Sequence, residues 1–328
     1  MGYWVNVWKY PSVVKQVLSD VKNITSELEL LKNDPHLPEA AKQILNHKKA
    51  FHRVSQYALV HGVLNLGIAR YLGRTLSANE MKSTIYTCAF GPFFDDFIDD
   101  YQLNEQDLFQ LIEENDDILG NSAEEQAYRY LLGIVFKTAP DKIQFQKQFQ
   151  RLLEAQIDSK RLKNKSENKS SLTSISRTKG EESAILFRVL IAEDIHTQEL
   201  NMLRQLGVVG QFMDDIFDLH DDYHEGLQTL ANDYTTDFEP IYRRFQHEVQ
   251  SLKHEIDLLP FPRKQTECFW HELMLMISGG LLACKTFLKV QQKYGHLDLN
   301  IIPRKELIVD MESKKNHVKM LLLALKHA

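Results

Sequence analysis

Apolar residues return along this chain at every third or fourth position, and no stretch sustains the every-second alternation of a half-buried strand. Val13, Val14, Val17, Val21, Ile24, Leu28 and Leu31 set the pattern. At 3.6 residues per turn, that spacing lines one face of a helix. Glycines number 14 and prolines 9 in 328 residues, so breaks are few and the helices should be long. The chain therefore reads as all-α, a single domain over residues 1–328. No internal repeat with a period of about 20 to 50 residues interrupts that reading.

Punctuation residues locate the helices. The first helical segment, residues 1–35, stops at Asn33-Asp34-Pro35. Pro38 suits the first turn of a short helix ending near Asn46, and a longer one runs from Phe51 to Leu72. Ser77 with Glu80 three residues on is a capping box that opens the next helix. Gly91-Pro92 interrupts that helix. Proline lacks the amide N–H of the helical ladder, so a kink or restart is expected there. Helices follow over 105–119, 123–137 and 141–162, then a polar, mobile internal loop over 163–180 that carries Arg177 and Lys179. Apolar helix resumes at Ala184-Ile185-Leu186-Phe187. A helix from Thr197 passes Gly207 and Gly210 and closes at Gly226, and further helices cover 238–259, 265–294 and 303 onward.

Hydrophobic residues at 43% can build a core, and a formal charge of −6 offers nucleic acid no basic surface. Cys88, Cys268 and Cys284 include no C-x-x-C pair, which fits reduced thiols better than a disulfide framework or zinc site. The N-terminus lacks the basic region and apolar run of a signal peptide. The most apolar segment, Leu273 to Ala283, is too short to span a bilayer. A cytoplasmic protein without stable membrane insertion is expected, and a homodimer is compatible with this. Trp4 and Trp8 are expected to dock on the protein's own core.

Two acidic runs stand apart. Asp214, Asp218 and Asp222, four residues apart, line one helical stripe with Gln211 close to it. Asp95-Asp96-Phe97-Ile98-Asp99-Asp100 is the second run. Apolar residues fill the gaps in both, so neither is a solvated tail. Like charges on one helical face cost a few tenths of a kcal/mol per pair even when exposed, a cost that makes sense if a cation binds. All-oxygen donor sets favour hard cations, Mg²⁺ above all when phosphate completes the shell. Two such clusters on separate helices can face each other across a bundle. They would hold a diphosphate through two or three Mg²⁺ ions that act as Lewis acids on the leaving group. The rest of the pocket should then be apolar and aromatic, to exclude water and turn ring faces to a cation. Thr84, Cys88 and Gly91 are small and leave room above Asp95, and Phe187 is a candidate wall. Arg177 and Lys179 suit either anion capture or ordinary loop solubilisation.

These residues carry a family resemblance. Asp95-Asp96-Phe97-Ile98-Asp99 resembles the D-D-x-x-D motif of class I isoprenoid synthases. Asp214-Asp215-Ile216-Phe217-Asp218 with Gln211 resembles the second aspartate motif of trans-prenyltransferases. It also resembles the N-D-x-x-S-x-x-x-E register of terpene cyclases and the spaced acids of squalene and phytoene synthases. The likeness covers roughly residues 50 to 325 and implies a helical bundle of the class I isoprenoid synthase type. It implies three Mg²⁺ ions, with Asp95, Asp96 and Asp99 holding two and Asp214, Asp218 and Asp222 the third. Arg177 and Lys179 fall near the family's basic diphosphate contact. Chain-elongating members follow the first motif with an arginine pair, whereas Tyr101-Gln102-Leu103-Asn104-Glu105 follows it here. That departure favours a terpene cyclase acting on one linear prenyl diphosphate, with C20 the first expectation and C15 or C25 open. Typical cyclases carry an Arg-Tyr pair near the C-terminus, where Lys314 and Lys315 are the nearest basic residues noted.

Other classes fit less well. A di-iron bundle needs two Glu-x-x-His pairs plus two glutamates, and only Glu193 to His196 supplies that spacing. His220 and His224 point away from the Asp214 stripe and lack an H-E-x-x-H frame, so they read as a solvated helix face. A squalene- or phytoene-type or chain-elongating condensation remains open, as does a non-catalytic helical scaffold.

Overall fold

The computed structural model describes residues 2–99, 105–113, 122–160, 169–232, 237–311 and 313–327. Fourteen helices and no strand occur among them, so the fold is all-α. By packing, the chain divides into two units, one of Met1–Val13, Asp158–Ala184 and Ile195–Ala328, the other of Val14–Ile157 and Ile185–Asp194.

In the unit of Val14–Ile157, α1 (Gly2–Lys32) continues as α2 (Glu39–Asn46), α3 (Lys48–Tyr71), α4 (Ala78–Asp99), α5 (Glu105–Leu111), α6 (Ala123–Thr138) and α7 (Lys142–Ser159). The predicted stripe of α1 is its buried face, with Ile24, Leu28 and Leu31 almost fully covered. Ile24 lies where a Cβ on Gly62 would stand, 2.9 Å away, so the glycine admits the close approach of α1 to α3. Asp20 is buried on the same helix and pairs with Arg70 at 2.8 Å, which compensates the loss of water around its charge. α1 also starts earlier than the Val13 stripe and carries Pro11 within it. The side chains of residues 1–9, with Trp4 and Trp8, lie outside the described ones.

The capping box at the start of α4 is present. Ser77 N–H donates to Glu80 at 2.7 Å, and Glu80 N–H donates to Ser77 Oγ at 3.3 Å. Glu80 also accepts from Arg74 and from Ala192 N–H. Desolvation pushes its pKa upward, but Arg74 and these N–H donors outweigh it and hold the carboxyl down at about 2. Of the kink or restart expected at Gly91-Pro92, the restart does not occur; α4 is continuous through Pro92. Its neighbours explain the continuity. Phe90, Phe94 and Phe97 anchor both sides of the proline against Tyr128 and Phe149, with Phe94 and Phe149 4.8 Å apart. Burying each such ring stabilises by about 1.5–3 kcal/mol. Of the helix expected over 105–119, Glu105–Leu111 is helical, and 114–119 lie outside the described residues.

The other unit contains most of α8 (Lys169–Arg188), then α9 (Thr197–Phe217), α10 (Leu219–Glu225), α11 (Glu239–Asp257), α12 (Arg263–Tyr294), α13 (Arg304–Leu307) and α14 (Lys314–His327). Of the loop expected over 163–180, residues 163–168 lie outside the described ones, and 169–180 are helix rather than loop. Among the residues with described side chains, Ser174 and Thr178 face outward. Ile175, Ser176 and Gly180 are buried. Gly180 and Gly207 meet backbone to backbone, so closely that a Cβ on either would collide with the other's carbonyl. α12 is longer than its most apolar segment suggested. It contains a stretch apolar and long enough to cross a membrane by composition, with 67% of that stretch buried inside the protein. Gly280 on α12 leaves space for Met213 of α9 and Phe245 of α11, both within 3 Å of where its Cβ would stand.

Candidate functional site

The acidic stripe of Asp214, Asp218 and Asp222 survives a break in the helix that carries it. α9 ends at Phe217 and α10 begins at Leu219, with Asp218 as the joint at φ −94° and ψ 6°. The i→i−4 ladder nevertheless continues. Asp218 N–H donates to Asp214 O at 3.0 Å and Asp222 N–H donates to Asp218 O at 2.9 Å. The three aspartates therefore stay on one face, and Gly226 at φ 76° closes α10 just beyond them.

Their side chains are unequally committed. Gln211 Nε2 donates to Asp215 at 2.8 Å and, more weakly, to Asp214 at 3.4 Å. Asp215 is buried and accepts from Leu230 N–H at 2.9 Å, which ties down the loop after α10. Asp218 caps α10 without a side-chain cap bond. Neither its carboxylate nor that of Asp222 accepts a hydrogen bond from a described residue. Asp218 is nevertheless exposed and Asp222 half-buried. Desolvation first, and then Asp215, Asp218, Asp214 and Glu225, push Asp222 up to about 8. Desolvation, Asp214 and Asp221 push Asp218 up to about 6 against the pull of Arg304. Desolvation and Asp214 raise Asp215 to about 7, although Gln211, Leu230 N–H and Lys179 oppose them. Asp214 keeps an open surface but is raised too, by desolvation, with Lys179 and Gln211 countering.

Of the two basic residues, Lys179 is thus electrostatically coupled to Asp214 and Asp215. Arg177 is engaged elsewhere, 3.3 Å from Glu248 on α11, and Gln205 holds the same carboxylate at 2.7 Å. Arg304, the first residue of α13 and inside the helix expected from 303 onward, is a basic residue that the sequence reading does not single out. It grips Asp221 from two nitrogens at 2.7 and 2.6 Å, beside the stripe. His220 and His224 serve local contacts, with Asp221 and Leu299 O at 3.1 Å each.

In the other unit, the aromatic face of α4 packs into the core and turns Asp95 and Asp96 toward α3. Tyr57 hydroxyl donates to Asp95, and Gln156 Nε2 of α7 donates to its other oxygen at 3.1 Å. Arg53 holds Asp96 through two bonds of 2.9 Å. The Asp99 side chain lies outside the described ones. The room above Asp95 at Gly91 is taken by the Tyr57 ring, 3.1 Å from where a Cβ would stand. Thr84 is fully buried and accepts from Asn65, and Cys88 is fully buried. Phe187 lies flat against His61, ring centroids 3.7 Å apart. Arg53, Tyr57, His61 and Asn65 follow one another at four-residue intervals on α3. That polar ladder was legible in the sequence but reads there as scattered positions in an apolar helix.

No protein-family model matches the chain, and no curated protein or solved structure matches it either.

The donor chemistry of the Asp214 stripe fits Mg²⁺. Hard divalent ions are usually held by one or two carboxylates, with water and phosphate completing the octahedron. Uncommitted Asp218 and Asp222 beside Asp214 are such a set. Among the described residues, no three acidic, histidine or cysteine side chains close on a single point, so an ion at this stripe draws the remainder of its shell from water or phosphate. At Asp96 an ion has to displace Arg53.

Proposed function

We propose that the protein is a class I terpene synthase, which ionises a linear prenyl diphosphate and cyclises the resulting cation with release of diphosphate. One observation carries this reading. Asp218 and Asp222 are held on one helical face with raised pKa values and no hydrogen-bond donor among the described residues. Acids crowded on one face, with no donor to share their negative charge, are stabilised in the ionised form when a cation binds between them. In this reading Asp214, Asp218 and Asp222 hold one Mg²⁺, and Asp95, Asp96 and Asp99 hold two more. Bound Mg²⁺ supplies Lewis-acid activation of the leaving diphosphate. Gln211 and the coupled Lys179 keep the inner acids oriented and partly compensated. Arg177, paired with Glu248, reaches the diphosphate only if it leaves that carboxylate. Phe187 forms part of an apolar wall that keeps water from the cation. The substrate is a C20 diphosphate in the first instance, and the enzyme acts in the cytoplasm.

Incubation with C10, C15, C20 and C25 prenyl diphosphates and Mg²⁺, with and without isopentenyl diphosphate, tests the reading. Released diphosphate and hydrocarbon products are both measured. Mg²⁺-dependent release and a cyclic hydrocarbon without isopentenyl diphosphate are expected. A requirement for isopentenyl diphosphate indicates chain elongation, and a doubled linear chain indicates head-to-head condensation. No release from any of the four substrates leaves a helical scaffold without this activity.

A further inference from the structure

His61 stands out among the groups that the proposed function leaves unused. It lies one turn beyond Tyr57 on α3, about 6 Å along the helix axis, and Tyr57 is the residue bound to Asp95. Its imidazole stacks on Phe187 with planes within 6° of each other, and the Tyr57 ring is tilted toward it at 6.0 Å. A further turn along, Asn65 Nδ2 donates to Phe187 O and to Thr84, each at 2.9 Å, which fixes the backbone under the stack. His61 retains some accessible surface, and no described residue hydrogen-bonds either ring nitrogen. Burial alone perturbs the ring and holds it neutral down to about pH 4, so a nitrogen lone pair is available at neutral pH. A histidine placed for packing alone ordinarily ties a buried nitrogen to a partner.

We propose that His61 is the terminal base of the cyclisation. This rests on the terpene-synthase reading and adds a catalytic residue to it. The diphosphate leaves with the C–O electron pair. After ring closure, a ring nitrogen of His61 takes a proton from the carbon next to the cationic centre, and the C–H pair becomes the new C=C bond. The imidazolium then returns its proton to the departing diphosphate, directly or through water, so the net products are an olefin and protonated diphosphate. A weak base is sufficient, because a proton next to a carbocation is strongly acidic.

His61→Phe keeps a flat ring against Phe187 and deletes both nitrogens, so the stack remains while the base is lost. Diphosphate release should stay within about 3-fold of wild type, since ionisation precedes the step. The olefin share should fall by about 10-fold or more, with alcohols from water capture or products of an earlier cation in its place. His61→Gln, which keeps a polar group without a basic nitrogen, should behave in the same way and decides the matter if circular dichroism shows His61→Phe unfolded. An olefin profile identical to wild type in a folded variant overturns the assignment of His61 and leaves the terpene-synthase reading standing. A wild-type chain that releases no diphosphate from any prenyl diphosphate overturns both.

Discussion

Arg53 grips Asp96 with two terminal guanidinium nitrogens, each 2.9 Å from a carboxylate oxygen, one helical turn before Tyr57 reaches Asp95. α3 therefore supplies the first acidic segment with its own cation, and any metal there competes with it. Arg53→Met keeps the apolar stem and removes that competitor. The Mg²⁺ concentration for half-maximal diphosphate release should fall about 3-fold, as expected for a partly exposed pair worth up to ~1 kcal/mol. Thermal unfolding should shift little. A higher Mg²⁺ requirement would mean that Arg53 serves the site by holding Asp96 in place.

The crossing of α8 and α9 depends on two glycines at once. Neither Gly180 nor Gly207 can accept a Cβ without meeting the other's backbone, and backbone cannot swing aside as a side chain can. Gly180→Ala or Gly207→Ala should each destabilise by about 1–3 kcal/mol or more. Gly210, one turn on, has nothing within 4 Å of its Cβ position, so Gly210→Ala should stabilise by up to ~1 kcal/mol through helix propensity. Urea melts of the three variants separate these outcomes. Equal effects would mean that Gly180 and Gly207 do not meet backbone to backbone.

Much of this architecture was legible because it is local. The Ser77–Glu80 box depends on two residues three apart, and the Asp214 stripe on a four-residue repeat. The box appears as read, and the stripe persists although the helix read as continuous from Thr197 to Gly226 is broken at Asp218. Residues 169–180 read as loop because of the polar run over 164–171 before them, whereas the burial of Gly180 depends on its contact with Gly207 of α9. Pro92 failed to break α4 for a related reason. The aromatic packing of Phe90, Phe94 and Phe97 comes from α6 and α7 and outweighs one missing hydrogen bond. Arg53 with Asp96 and Arg304 with Asp221 join residues far apart in sequence, so no spacing rule announces them. The ladder from Arg53 to Asn65 shows the opposite failure. Its period is plain, but periodicity in polar side chains is easily passed over when apolar residues define the helix.

The acidic stripe makes stability depend on pH in a definite direction. Burial and mutual repulsion push Asp218, Asp215 and Asp222 up to about 6, 7 and 8, against about 3.9 for an unfolded aspartate. Between those limits the folded chain binds more protons than the unfolded one, so the stripe's contribution to stability falls as pH rises. The cost is absent below about pH 4 and complete above about pH 8. Glu80 and Asp221 are held down at about 2 and lose their contribution only in stronger acid, outside this window. The melting temperature should therefore decline from pH 5 to pH 8. Asp222→Asn should flatten that decline, and added Mg²⁺ should raise the melting temperature more at pH 8 than at pH 5. A flat profile that Asp222→Asn leaves unchanged would remove the strain assigned to the stripe.

Neighbouring Asp218 and Asp221 offer the sharpest separation between binding and structure. Asp221 is bound by Arg304 from two nitrogens and points off the stripe, whereas Asp218 accepts no hydrogen bond from a described residue and forms the joint between α9 and α10. Asp221→Asn should weaken the tie to α13 and leave Mg²⁺-dependent diphosphate release within about 3-fold of wild type. Asp218→Asn removes a donor charge that nothing in the folded chain balances fully. It should lower turnover by about 100-fold or more while leaving the melting temperature equal or higher. Asp95→Ala should show the same loss of turnover with a modest loss of stability, because Tyr57 and Gln156 each lose an acceptor. Full activity in Asp218→Asn would falsify the assignment of this stripe to metal binding. The stability readout decides whether a loss of activity is chemical, since an inactive variant that melts as late as wild type has lost a charge rather than a fold.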